Sequence, residues 1–173
     1  MDYTGERVMI KETQKKDLKN ILSLWNNGAV MQWVGFLEGL NITSEKIQEW
    51  FSSIQKSGLA NHYVVVTKEN DLFIGELFYM KNPEHKRAGL DIKLLPESQG
   101  KGLATETLKL FIDLIFKTED QIDAVWTEPS KDNTAARGLY SRCGLKETVR
   151  PDDMEPAASY WELTREEWKN NTI

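Results

Sequence analysis

The chain has one cysteine, Cys143, and two histidines, His62 and His85. A single thiol cannot form an internal disulfide, and so few soft ligands leave no set from which a zinc cluster could be built. Long apolar runs are also missing. Stretches such as Tyr63–Val66 and Leu110–Ile112 fall far short of the roughly 20 residues that span a bilayer. The first residues lack the basic-then-apolar order of a signal peptide, so a cytoplasmic location is the expectation. Lys and Arg number 22 against 27 Asp and Glu, a net charge of -5. That balance argues against a nucleic-acid backbone as partner and is compatible with a cationic substrate. No repeat, low-complexity tract or Pro/Gly/Ser-rich linker divides the 173 residues, so one domain over residues 1–173 is expected.

Hydrophobic periodicity orders the elements. Val8–Glu12 reads as a strand, and Lys16–Trp25 as a helix with Leu18, Ile21, Leu22 and Trp25 on one face. Asn26-Asn27-Gly28 breaks it, and Ala29–Phe36 is apolar and aromatic without a clear period. Thr43 or Ser44 supplies the N-cap of a helix running to about Ser57, closed by Gly58. Tyr63–Thr67 and Leu72–Met80 form a hairpin across Lys68–Asp71. Arg87–Leu95 alternates Leu90, Ile92 and Leu94 against Asp91 and Lys93, and stops at Pro96. A glycine-bearing turn at Gln99–Gly102 opens an amphipathic helix carrying Leu103, Thr107, Leu110, Phe111 and Leu114. Ile122–Thr127 is a strand and Thr134–Cys143 a short helix ended by Gly144. Lys146–Val149 and Ser159–Leu163 are closing strands around an acidic loop, Asp152–Glu155. Hairpins followed by a strand–helix–strand crossover define an α/β fold with a mixed, mostly antiparallel sheet flanked by helices.

Gln99-Gly100-Lys101-Gly102-Leu103-Ala104-Thr105 lies between a strand and a helix. Glycines let the backbone turn tightly and approach a ligand. The free N–H groups of the next helix's first turn, at its positive dipole end, make an anion site suited to a pyrophosphate. A plain connecting turn would use the same glycines. A Walker loop is excluded because no Gly-Lys-Ser/Thr follows a four-residue spacer, and the glycine spacing of a dinucleotide fingerprint is absent.

In these residues the chain resembles the GNAT family of N-acetyltransferases. Their signature Gln/Arg-x-x-Gly-x-Gly/Ala is met by Gln99, Gly102 and Ala104. Their second motif, an Asn and small residues leading to a Tyr and Gly-Phe, is met by Asn133 to Leu145, with Tyr140, Gly144 and Leu145 in place of the usual Phe. The resemblance covers nearly the whole chain and implies the GNAT fold, acetyl-CoA as co-substrate and no metal. It places the pantetheine arm along Ile92, Lys93 and Leu94, and the pyrophosphate at the backbone of Gly100, Lys101, Gly102, Leu103, Ala104 and Thr105.

The resemblance makes Tyr140 the general acid; a phenol of pKa about 10 stays protonated at pH 7 and can protonate a departing thiolate. A tyrosine merely packed between helix and sheet is the plainer alternative. Asn133 matches a cofactor-binding residue, yet an Asn before a helix is equally expected as an N-cap. Asp91, in the middle of its strand, is the candidate base, either lining the cleft or facing solvent. The segments Gly89–Leu95 and Thr127–Asn133 are similar to those of aminoglycoside 6′-N-acetyltransferases, whose strand carries an essential aspartate. Glu76 and Glu128 stand in reserve. Trp25, Trp33 and Phe36 fall where the family builds its acceptor site, though core packing is the ordinary role of such side chains. Cys143, before the closing glycine, reads as structural, and the histidines give no signal.

The expected reaction is acetyl transfer from acetyl-CoA to a primary amine of a small cationic molecule. The alternatives are a protein N-terminus as acceptor, a CoA-binding sensor without catalysis, and another phosphate compound at the turn. Nucleic-acid and membrane partners are not expected, and a monomer or homodimer is.

Overall fold

The computed structural model describes residues 3–154 and 159–171. Its strands are β1 (Tyr3–Thr4), β2 (Val8–Glu12), β3 (Ala60–Thr67), β4 (Phe73–Asn82), β5 (Arg87–Leu94), β6 (Ala124–Thr127), β7 (Lys146–Glu147) and β8 (Trp161–Thr164). Its helices are α1 (Leu18–Trp25), α2 (Gly28–Met31), α3 (Ser44–Ser57), α4 (Leu103–Thr118), α5 (Thr134–Arg142) and α6 (Arg165–Asn171). All eight strands join one sheet in the order β1-β2-β3-β4-β5-β6-β8-β7. Among the described residues only the β5–β6 pair is parallel, with α4 as its crossover, so the α/β expectation with a mixed, mostly antiparallel sheet holds.

Helices cover both faces of the sheet. Phe111, Ile112, Ile115 and Phe116 of α4 pack with Leu139 and Tyr140 of α5 against Val65, Leu77, Tyr79 and Leu90. On the other face Leu18 and Ile21 of α1 meet Ile47 and Phe51 of α3 over Val64. The side-chain period of two decides which strand residues go where. Cross-strand pairing of Glu76 with Lys93, Phe78 with Asp91 and Met80 with Gly89 puts these charged groups, with Phe78 and Met80, on the α1–α3 face, opposite the apolar α4 face.

Several boundaries differ from the sequence-based expectation. Residues 28–34 form α2 followed by a 3-10 turn, Gln32–Val34, which a four-residue helix is too short to announce by periodicity. The expected strand Lys146–Val149 shrinks to two residues, and β1 and α6 were not anticipated. Glu155 of the acidic loop lies outside the described residues.

Candidate active site

Strand β5 is paired with β4 along its whole length, Arg87 through Leu94. Toward β6 the register covers only Arg87, Ala88 and Gly89. From Leu90 to Leu94 the β6-side edge of β5 therefore has no strand beside it, because β6 ends at Thr127 and the chain turns away at Pro129. The two parallel strands splay, and the gap is a cleft of about 430 Å³. Asp91, Ile92, Lys93, Leu94, Gln99, Gly100, Ala104, Asn133 and Tyr140 line it together, so the structure assembles nine of the thirteen residues given catalytic or cofactor roles in the sequence; Trp33 and Glu128, also singled out there, line it too.

The remaining four, Lys101, Gly102, Leu103 and Thr105, build the turn. Gly102 is the N-cap of α4 at φ 77° and Gly100 has φ 72°. No side chain caps α4, whereas Thr43 caps α3 and Asn133 caps α5. The first-turn N–H groups of the 16-residue helix α4 thus lack the partner that the other two helices have, and nothing lies within 4 Å of the position a Gly100 Cβ would take. An anion with several acceptor oxygens fits that opening. Leu103 packs into the core beneath. Arg7 pins the turn: its guanidinium donates to the Lys101 carbonyl at 2.9 Å and to Glu106 Oε2 at 2.9 Å. Gln99 Nε2 donates to the Leu94 carbonyl at 3.2 Å, tying the turn to β5. Arg7 is invisible to sequence reading because its partners lie nearly a hundred residues away.

Tyr140 is buried at the inner wall. Burial, helped by the neighbouring charge of Asp91, pushes its hydroxyl up to about 12, so it keeps its proton at neutral pH. Asn133 Oδ1 accepts from the Ala136 N–H at 3.0 Å, which makes it the helix cap whatever else it does. Cys143 is buried, and burial pushes its thiol up to about 11, as suits a structural residue.

Asp91 is held by Lys93, whose ammonium also reaches Glu76 Oε1 at 3.5 Å. Burial alone would discharge Lys93, but Asp91 and Glu76 outweigh it and raise the ammonium to about 12. Glu76 is fully buried and accepts from Trp25 Nε1 at 2.6 Å and His62 Nε2 at 3.0 Å. Burial works to raise this carboxyl, yet the bonds from His62 and the charge of Lys93 hold it below its ordinary value. His62 Nδ1 in turn faces Thr13 Oγ1 at 2.7 Å. A chain of polar groups thus runs from Thr13, just past β2, across the sheet face to Asp91. His62, which showed no signal in sequence, is one of its links. Trp25 is half-buried and hydrogen-bonded within this chain, whereas Trp33 and Phe36 are exposed, so core packing does not describe those two.

A second cleft, about 750 Å³, opens on the far side of Asp91. Val34, Asp91, Thr127 and Glu128 line both clefts and form their junction. Burial raises the Glu128 carboxyl against the lowering influence of Arg150. Trp126, Phe78 and Met80 wall the second cleft; sequence reading took them only as strand residues. Among the described residues no group of three or more His, Cys, Asp or Glu could hold a metal, and no helix is long and apolar enough to cross a membrane.

A cleft at a splayed parallel pair, with an uncapped helix start beyond it, can seat an extended ligand that ends in an anion, and the comparisons give the class of protein. The GNAT acetyltransferase domain model matches residues 7–146. The chain belongs to the GNAT family and is an acetyl-CoA-dependent N-acetyltransferase. It is 27% identical to the spermidine N(1)-acetyltransferase of Escherichia coli over 142 residues, 82% of this chain and 74% of that one. It is 23% identical to the N-acetyltransferase p20 of Bacillus licheniformis, over 90% of this chain and 87% of that one. Among solved structures, the Vibrio cholerae spermidine N-acetyltransferase with CoA and spermine superposes with a TM-score of 0.83 at 20% identity, covering 96% of this chain and 100% of that one. The aminoglycoside acetyltransferase AAC(6')-Ib with coenzyme A gives 0.77 at 20%, covering 96% and 99%.

Proposed function

We propose that the chain transfers the acetyl group of acetyl-CoA to the primary amine of a small molecule, with the co-substrate in the first cleft and the amine in the second. The observation that carries this reading is the junction: two clefts meet at Asp91, Thr127 and Glu128, beside a tyrosine that retains its proton. The uncapped start of α4 and the turn at Gly100–Thr105 hold the pyrophosphate. The open edge of β5 at Ile92–Leu94 offers backbone groups to the pantetheine amides and an N–H to the carbonyl oxygen as charge develops on it. The thioester supplies an activated acyl carbon. Asp91, directly or through a water, takes one proton from the acceptor ammonium; the neutral nitrogen bonds to the acyl carbon, the C–S bond breaks as Tyr140 protonates the sulfur, and the nitrogen's second proton passes to the Tyr140 phenolate, leaving a neutral amide and the CoA thiol. Both the spermidine and the aminoglycoside relatives act on small amines, and a cleft of 750 Å³ lies within the range of small-molecule sites.

Glu128 offers a second reading of the base, favoured by its raised carboxyl at the same junction. Free-thiol release with a panel of amines tests the function. The expected result is turnover that Asp91→Asn lowers at least 100-fold and Glu128→Gln lowers less; the reverse order assigns the base to Glu128. Background release with every amine, despite CoA binding, would sink the transferase reading.

A further inference from the structure

The second cleft carries information about which amine it takes. Of its side chains, Val34, Leu59 and Met80 are large, apolar and 50%, 41% and 49% exposed. Concave apolar surface open to water marks a place where an apolar partner sits. Its inner wall is aromatic. Trp126 occupies the space that a side chain at position 89 would need, since a Cβ there would lie 3.0 Å from the indole ring. Trp126 is further fixed by stacking on Tyr160, with centroids 5.7 Å apart and planes 23° from parallel. The ring is therefore a rigid, flat surface.

Charge is distributed unevenly along the same cleft. Among the described residues its carboxylates, Asp91 and Glu128, both stand at the junction with the CoA cleft. The outer part presents Lys81 and Arg87 instead, paired with Glu119 at 3.0 Å and Glu162 at 3.0 Å, together with His85, whose Nδ1 lies 2.6 Å from Asp153. Among the described residues that line the outer part none is a carboxylate, so a second or third ammonium would stand beside the lysine and the arginine.

We infer that the acceptor is an amine with a single positive charge on an apolar, ring-sized body, its nitrogen at Asp91 and its body against Trp126 and Met80, rather than a polyamine. The inference rests on the assignment of the second cleft to the acceptor under the proposed function. Burying a phenyl-sized group strengthens binding roughly 10- to 100-fold, while a polyamine gains only one ion pair here.

The test is isothermal titration of the CoA-loaded full chain with 2-phenylethylamine and with spermidine, together with Met80→Glu. Met80 is half-exposed, so that variant keeps its fold. Phenylethylamine should bind at least 10-fold more tightly than spermidine, and Met80→Glu should weaken it about 10-fold while strengthening spermidine. Equal or tighter spermidine binding to the unaltered chain overturns the inference, and so does a Met80→Glu variant with both affinities unchanged. Binding is read apart from transfer. Tight phenylethylamine binding without thiol release would end the transferase reading and leave this one standing, whereas preferential acetylation of spermidine would do the opposite.

Discussion

Tyr140 and Glu76 are buried for opposite electrostatic outcomes. Burial and the charge of Asp91 oppose ionisation of the phenol, so its ultraviolet titration should be missing near pH 10, where an ordinary tyrosine ionises, and the rate should show no loss there from this group. Tyr140→Phe should lower kcat roughly 100-fold with little change in the KM for acetyl-CoA; an unchanged kcat would remove the acid role. Glu76 is held below its ordinary value of 4.5. Its folded value is depressed, so its contribution is complete above the unfolded value and is lost as pH falls through the folded one. Glu76→Gln leaves Lys93 short of a partner and should cost about 3 kcal/mol at pH 7. Urea melts from pH 3 to 7 should show the variant with a flatter acid limb. At this scale the sequence exposed the residues whose neighbours are local. Asn133 announced its cap three residues ahead of Ala136. His62 and Arg7 did not announce theirs, because Glu76 and Glu106 reach them only once the sheet is assembled.

Helix α4 shows how one element serves both stability and the site. Its N-terminus is uncapped, while its C-terminus is clamped by Arg165, which donates to the carbonyls of Phe116 at 2.7 Å, Glu119 at 2.6 Å and Ile122 at 2.8 Å. The guanidinium also lies 4.9 Å from the Phe116 ring. Last-turn carbonyls lack helical partners and carry the negative dipole end, so a cation there is favoured. Arg165→Met should destabilise the fold by about 3 kcal/mol by urea melt, with kcat of the surviving folded fraction unchanged. The long helices α3 and α4 were legible because their apolar positions recur over three or more turns. The four residues of α2 and the two of β7 give no period to detect. The splay between β5 and β6 was not legible, since nothing in residues 87–94 states that pairing stops at Gly89; the resemblance gave only the use of Ile92–Leu94.

At the scale of the whole molecule, helices cover both faces of the sheet and the first cleft opens at that splay. Ligand that fills it binds the folded chain alone, so coenzyme A at a hundredfold excess over its Kd should stabilise by about 2.7 kcal/mol. For a chain of this length that is a rise in Tm of roughly 5–10 °C, measurable by calorimetry. A shift below 1 °C under those conditions would contradict the proposed seat of the cofactor. Hydrogen exchange should locate the gain at Ile92–Leu94 and the first turn of α4. The open edge from Leu90 to Leu94 also has a bearing on the protein's lifetime. A row of free strand groups is a template for any extended segment, including one from another copy in a crowded or heated sample. On the proposed reading the co-substrate occupies that template as a guest strand, so acetyl-CoA doubles as a chaperone against misassociation, and the persistence of the enzyme follows the coenzyme A pool as well as its rate.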